Sequence, residues 1–126
     1  MIRVVAGIVW LSVSFALMYL RVEPFATQFY MFAWVGLIYT VDMLIRRTEG
    51  SSLVLRCGAG FFLLLFWSTT CWFFFELLNL RLENWYYIFV SDHELVRLVG
   101  SFASFATVLP GIFWIDHYLL QLGVST

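Results

Sequence analysis

Four long apolar stretches alternate with short polar segments along the chain. They cover approximately residues 4–20, 25–45, 57–80 and 97–120. A helix needs about 20 mostly apolar residues to cross a bilayer, and each stretch is close to that length. The pattern predicts an all-α integral membrane protein, a four-helix transmembrane bundle that forms one domain over residues 1–126.

The polar segments carry the signals that end helices. Pro24 is placed to open the second helix, and Gly50 marks a turn after it. The segment 81–94 is rich in Trp and Tyr, which is typical of a chain lying at a membrane–water interface. Ser91 and Glu94 have the spacing of a capping box for the fourth helix.

Composition favours the same class. Hydrophobic residues make up 63% and charged residues 12% of the chain, whereas soluble domains have roughly 45–50% and about 25%. The net charge of −1 gives no electrostatic basis for binding nucleic acid. The expected partners are membrane lipids and other membrane protein subunits.

The distribution of arginines predicts the orientation. The side that holds both termini and the connector at residues 46–56 carries four arginines: Arg3, Arg46, Arg47 and Arg56. The opposite side carries Arg21, Arg81 and Arg97. The excess predicts that both termini lie in the cytoplasm. The expected location is a bacterial inner membrane.

Ionisable residues inside spans form two groups by depth. The inner group is Asp42, Arg46, Asp116 and His117. Asp42 and Arg46 have the i, i+4 spacing of a helical ion pair. Three interpretations stay open for this group: an ion pair at a helix end, a carboxylate–histidine proton relay, and a partner contact.

The outer group lies on a polar stripe of the third span. The stripe consists of Ser68, Trp72, Glu76, Asn79 and Glu83. Glu76 could lock this helix to its loop through Arg21, Arg81 or Asn79, or it could act on a ligand, a lipid headgroup or a substrate.

The fourth span carries small residues along one face. These residues are Gly100, Ser104, Thr107 and Gly111, and their spacing predicts a seam of close helix packing in lipid. Pro110 within the same span predicts a kink.

Metal and cofactor sites are not predicted. His93 and His117 fall at opposite ends of the fourth span, and Cys57 and Cys71 lack the further ligands of a metal cluster. We therefore expect no metal and no cofactor.

A sequence pattern in the second half of the chain resembles a known one. It consists of Ser68, Trp72, Phe75, Glu76, Asn79, Arg81, Asn84, Trp85 and Tyr87. It is similar to the S…W–FE–N–R–NW–Y pattern of uncharacterised bacterial multi-span membrane proteins, in which a helix ends and enters a surface loop. The resemblance implies a membrane fold and no particular reaction. It singles out Glu76, Asn79, Arg81, Asn84 and Trp85.

The sequence supports three hypotheses for the function of this chain. The first is a small accessory subunit of a larger membrane complex, such as a respiratory or photosynthetic electron-transfer assembly. The second is a small membrane enzyme acting on a lipid or isoprenoid-like substrate through Glu76. The third is an oligomeric proton-coupled transporter or channel that uses Asp42, Asp116 and His117 on one side and Glu76 on the other.

Overall fold

The computed structural model describes residues 1–88 and 90–124, and this part of the chain is all-helical. Its helices are α1 (Ile2–Tyr19), α2 (Phe29–Glu49), α3 (Leu53–Cys57), α4 (Ala59–Leu82) and α5 (Glu94–Gln121). All except the short α3 are long and apolar enough to cross a bilayer. The predicted class, a four-helix transmembrane bundle, is therefore confirmed, and the chain is a membrane protein.

The spanning helices pack in the order α1, α2, α5, α4, each against the next. Helices α2 and α5 are the second and fourth crossings, so they run in the same direction at the centre of the row. We call the end with Met1, the 50–58 segment and Gln121 the connector side. The end with the 20–28, 83–88 and 90–93 segments is the loop side.

Helix boundaries differ from the predicted spans where polar residues extend or replace helical turns. Helix α2 begins at Phe29, later than Pro24, because hydrogen-bonded turns occupy the preceding residues. It continues past the apolar stretch to Glu49, where Gly50 closes it in the left-handed conformation with φ 80°. Only glycine adopts that conformation without steric cost.

The start of α5 also differs from the prediction. Its N-cap residue is His93, and no side chain caps the helix there. The Ser91 hydroxyl accepts a hydrogen bond from the His93 amide instead, so the capping box with Glu94 is wrong. The helix is continuous through Pro110, which is buried.

The core lies toward the connector side. Ile38, Val41 and Ile45 of α2 pack with Trp114 of α5, and Phe61 of α4 meets the Trp114 ring edge-on. The central helices are therefore the best covered. The end helices α1 and α4 present most of their surface outward.

Candidate functional site

Asn79 reverses the chain at the loop-side end of α4. Its side-chain oxygen accepts hydrogen bonds from the amides of Asn84 (2.9 Å) and Trp85 (3.2 Å). Its side-chain nitrogen donates to the Trp85 carbonyl at 2.9 Å. These bonds satisfy main-chain groups of the loop that follows α4. Asn79 therefore fixes the start of the loop.

Glu76 lies one turn before Asn79 and faces the same loop. Its Oε1 atom accepts a hydrogen bond from Trp85 Nε1 at 3.2 Å and another from the Tyr87 hydroxyl. Trp72 Nε1 donates to the Tyr87 hydroxyl at 3.4 Å. We call Trp72, Glu76, Asn79, Trp85 and Tyr87 the loop-side cluster.

The electrostatics of this cluster act on Tyr87. Burial and, secondly, the hydrogen bond to the Glu76 carboxylate raise the pKa of the Tyr87 phenol. Both causes disfavour the phenolate, because it would lose water and meet a carboxylate. The phenol therefore remains a hydrogen-bond donor to Glu76 well above neutral pH.

Sequence reasoning found part of this cluster. Glu76, Asn79, Asn84 and Trp85 come together as a unit, whereas Arg81 is exposed on the last turn of α4. Glu76 is held by Trp85 and Tyr87 in place of the predicted arginine or Asn79. The missed partner is Tyr87. The sequence feature that could have indicated this bond is a tyrosine shortly after the end of the third apolar stretch, where its hydroxyl can fold back to Glu76.

Asp42 is the most deeply buried acid among the described residues, with 3% of its surface exposed. Its Oδ1 atom accepts from Trp114 Nε1 at 2.9 Å and from the Val54 amide at 3.1 Å, and Oδ2 accepts from the Ser52 hydroxyl. Ser52 in turn caps α3 by accepting from the Leu55 amide. Asp42 thus joins α2, the connector and α5.

The inner group predicted from sequence does not form one cluster within the described residues. Asp42 bonds to the connector and Trp114 and not to Arg46. His117 Nε2 lies 2.8 Å from Glu49 Oε1, and Arg56 pairs with the same carboxylate. Asp116 is exposed on another face of α5. Among residues 1–88 and 90–124, no direct hydrogen bond joins the side chains of Asp42, Asp116 and His117.

The predicted small-residue seam faces α2. A methyl group at Gly100 would overlap the Gln28 side chain, and one at Gly111 would lie 2.5 Å from the Trp34 ring. Gln28 uses this space to donate to the Val96 carbonyl at 3.1 Å. Ser104 and Thr107 are half-buried between the two glycines. The α1–α2 contact has its own close approaches, at Gly7 and Gly36, which sequence reasoning missed.

Ser68 joins α4 to α5 by an unusual contact. Its hydroxyl donates to the Phe105 carbonyl at 2.5 Å and accepts from the Leu109 amide at 3.0 Å. These two groups are the i and i+4 positions of a single helical turn, directly before Pro110. The Ser68 side chain therefore inserts beside the main-chain hydrogen-bond ladder of α5.

Two open grooves lie at the surface. An apolar groove of about 780 Å³ runs between α4 and α5 past Phe66, Phe73 and Phe102. A groove of about 430 Å³ at the loop side includes Glu23, Asp92 and His93. Across residues 1–88 and 90–124, no three His, Cys, Asp or Glu residues are grouped closely enough to hold a metal ion.

No family model, curated protein or solved structure matches this chain.

Proposed function

We propose that this chain is a small structural subunit of a larger membrane assembly, located in a bacterial cytoplasmic membrane with both termini on the cytoplasmic side. One observation carries the proposal: the polar side chains of Asp42 and Asn79 bond to neighbouring helices and loops. Asp42 receives three hydrogen bonds and Asn79 forms three through its side chain. Side chains bonded in this way stabilise the arrangement of helices and loops, which is a structural role.

The lateral surface supports the same proposal. Helix α4 packs against α5 on one side, and large aromatic side chains project outward from it, including Phe62, which is 72% exposed, and Phe66 and Phe74 at the groove toward α5. Aromatic side chains are enriched in contacts between proteins, because they bury a large area with little loss of side-chain entropy. We assign this surface of α4 to a neighbouring subunit.

Site-specific photo-cross-linking tests the proposal. A photoreactive phenylalanine analogue at Phe66 or Phe74 should produce discrete adducts with the same membrane protein in native membranes. The matched control is the same analogue at Phe29 on α2, whose ring packs against Phe15 of α1, and adducts there should be intramolecular. If the α4 positions react with lipid alone and the tagged chain purifies without stoichiometric companions, the proposal fails.

The native cysteines test the orientation. Cys57 is exposed at the connector side, and Cys71 lies within the α4 span. In a Cys71→Ser variant, a membrane-impermeant thiol reagent should label Cys57 in inverted vesicles and not in intact cells. Labelling in intact cells would reverse the assignment.

A lipid-modifying enzyme is the second candidate, because one observation favours it. The Glu76 carboxylate and the Tyr87 hydroxyl are hydrogen-bonded at the loop-side boundary, and an acid next to a phenol can exchange a proton with a bound headgroup. Glu76→Gln should then alter the membrane lipid profile, whereas the exposed control Glu83→Gln should not. Identical profiles for wild type and Glu76→Gln would eliminate this candidate.

A further inference from the structure

Three arginines without an acidic partner lie at the connector-side end of α1 and α2. Within the described part of the chain, neither Arg3, Arg46 nor Arg47 pairs with a carboxylate, and Arg47 Nη1 contacts the Met1 sulfur at 3.5 Å across the two helices. Glu49, the acid at this end of α2, is occupied by Arg56 and His117. The positive charge of these arginines is therefore not neutralised by the acidic side chains of the described residues.

The packing of α1 on α2 places these arginines at one depth. Gly7 lies against Thr40, and facing positions on antiparallel helices run in opposite order. Arg3, four residues before Gly7, is therefore level with the position four residues after Thr40. Arg46 and Arg47 lie only two and three residues further on, which is about 3–5 Å along the axis.

Helical geometry turns the arginines to one side of the helix pair. At about 100° per residue, Arg47 continues the stripe of Gly36 and Thr40 that faces α1. Arg46 is turned about a quarter of a circle from that stripe, and Arg3 is turned from the α1 contact toward the same side.

The observed contacts agree with this placement. The same geometry puts Trp10 of α1 and Phe32 of α2 on that side, where Trp10 Nε1 donates to the Phe32 carbonyl at 3.1 Å and the ring centres are 6.1 Å apart.

An apolar wall continues from the arginines into the membrane. Val35 and Tyr39 of α2 and Trp10 of α1 are exposed on this side. Tyr39 lies seven residues before Arg46, which is about 10 Å deeper along the helix. A cationic rim above an exposed apolar wall matches a molecule with an anionic head and a hydrocarbon tail.

We propose that Arg3, Arg46 and Arg47 bind the phosphate headgroup of an anionic phospholipid. Its acyl chain lies along Trp10, Val35 and Tyr39. Guanidinium groups donate paired hydrogen bonds to phosphate oxygens, and basic clusters at the membrane boundary attract anionic lipid. This site is independent of the proposed subunit role, because it needs only the bilayer around α1 and α2.

Native mass spectrometry of the purified, delipidated chain tests this site. The probes are phosphatidylglycerol and phosphatidylcholine with identical acyl chains, added in equal amounts. The variant Arg3→Gln/Arg46→Gln is compared with the charge-matched variant Arg81→Gln/Arg97→Gln of the loop side. Circular dichroism establishes that each variant is folded.

Wild type should retain phosphatidylglycerol over phosphatidylcholine. In the connector-side variant, the ratio of retained phosphatidylglycerol to phosphatidylcholine should fall roughly fivefold for each arginine removed. In the loop-side variant, this ratio should not change. Equal retention of both lipids by wild type, or an equal loss in both variants, would overturn the site.

Two further outcomes would also refute it. If inorganic phosphate displaces bound phosphatidylglycerol at equal concentration, the arginines recognise phosphate and not a lipid. If the connector-side variant keeps its lipid preference but loses a co-purifying protein, the patch is a protein contact.

Discussion

Replacing Asp42 by alanine should be among the most destabilising single changes in this chain. The side chain is 3% exposed and accepts hydrogen bonds from Trp114, Val54 and Ser52. Leaving a buried donor without an acceptor costs about 1–3 kcal/mol. The Ser52 hydroxyl can rotate to another acceptor, whereas the Trp114 and Val54 donors are fixed. We therefore expect Asp42→Ala to lose about 2–6 kcal/mol of unfolding free energy.

Asp42→Asn separates hydrogen bonding from charge. The remaining amide oxygen can occupy the Oδ1 position and keep both fixed donors, Trp114 and Val54, while the Ser52 hydroxyl can turn to accept from the amide nitrogen. The expected loss is about 1–2 kcal/mol, because hydrogen bonds to a charged group are stronger than neutral ones.

Reversible unfolding in mixed detergent micelles, followed by tryptophan fluorescence, measures these differences. Asp116→Ala is the control, since Asp116 is an exposed acid at the same end of the molecule and should change stability by less than about 0.5 kcal/mol. If Asp42→Ala is no more destabilising than this control, or if Asp42→Asn is as damaging as Asp42→Ala, the hydrogen-bonding argument is refuted.

Three further predictions concern packing and protonation. Ser68→Ala should cost about 1–3 kcal/mol because it removes the bridge to the α5 main chain, whereas Thr70→Ala, which only breaks a bond within α4, should have little effect in the same assay. Gly111→Ala should cost about 1–3 kcal/mol by overlap with the neighbouring ring, while Gly60→Ala, with open space around it, should be neutral or stabilising by up to about 1 kcal/mol; equal effects would contradict the seam. The raised pKa of Tyr87 means that the folded state holds this proton longer than the unfolded state, so stability should fall as pH rises above about 10, and Tyr87→Phe should weaken that fall; an unchanged pH profile would contradict it.

The spans were predictable because the bilayer imposes a length and a polarity on each of them. Apolar runs of about 20 residues have few alternatives to helix in lipid. The boundaries were less predictable. Helix α2 extends to Glu49 because a helix can continue into the headgroup region, and its start is delayed to Phe29 by turns with local hydrogen bonds. The pattern of apolar residues therefore does not predict where α2 begins or where it ends.

The polar contacts were harder to predict, because they depend on which helices become neighbours. Spacing along one helix indicated an Asp42–Arg46 pair, but the donors to Asp42 come from the connector and from α5. For Glu76, spacing pointed to arginine, but the chain reversal brings Trp85 and Tyr87 within reach. The small-residue seam at Gly100 and Gly111 was identifiable because close helix approach in lipid requires the absence of a side chain.

The order of helices in the row has a consequence for biosynthesis. The α1–α2 hairpin is synthesised before its central partner α5, so the face of α2 that will meet α5 first enters the membrane uncovered. The connector can already supply Asp42 with the Ser52 and Val54 donors, but Gln28 must await the Val96 carbonyl. Gln28 therefore gains its hydrogen bond to another helix only when the last helix inserts, so the loop-side contact between α2 and α5 is completed at the end of synthesis.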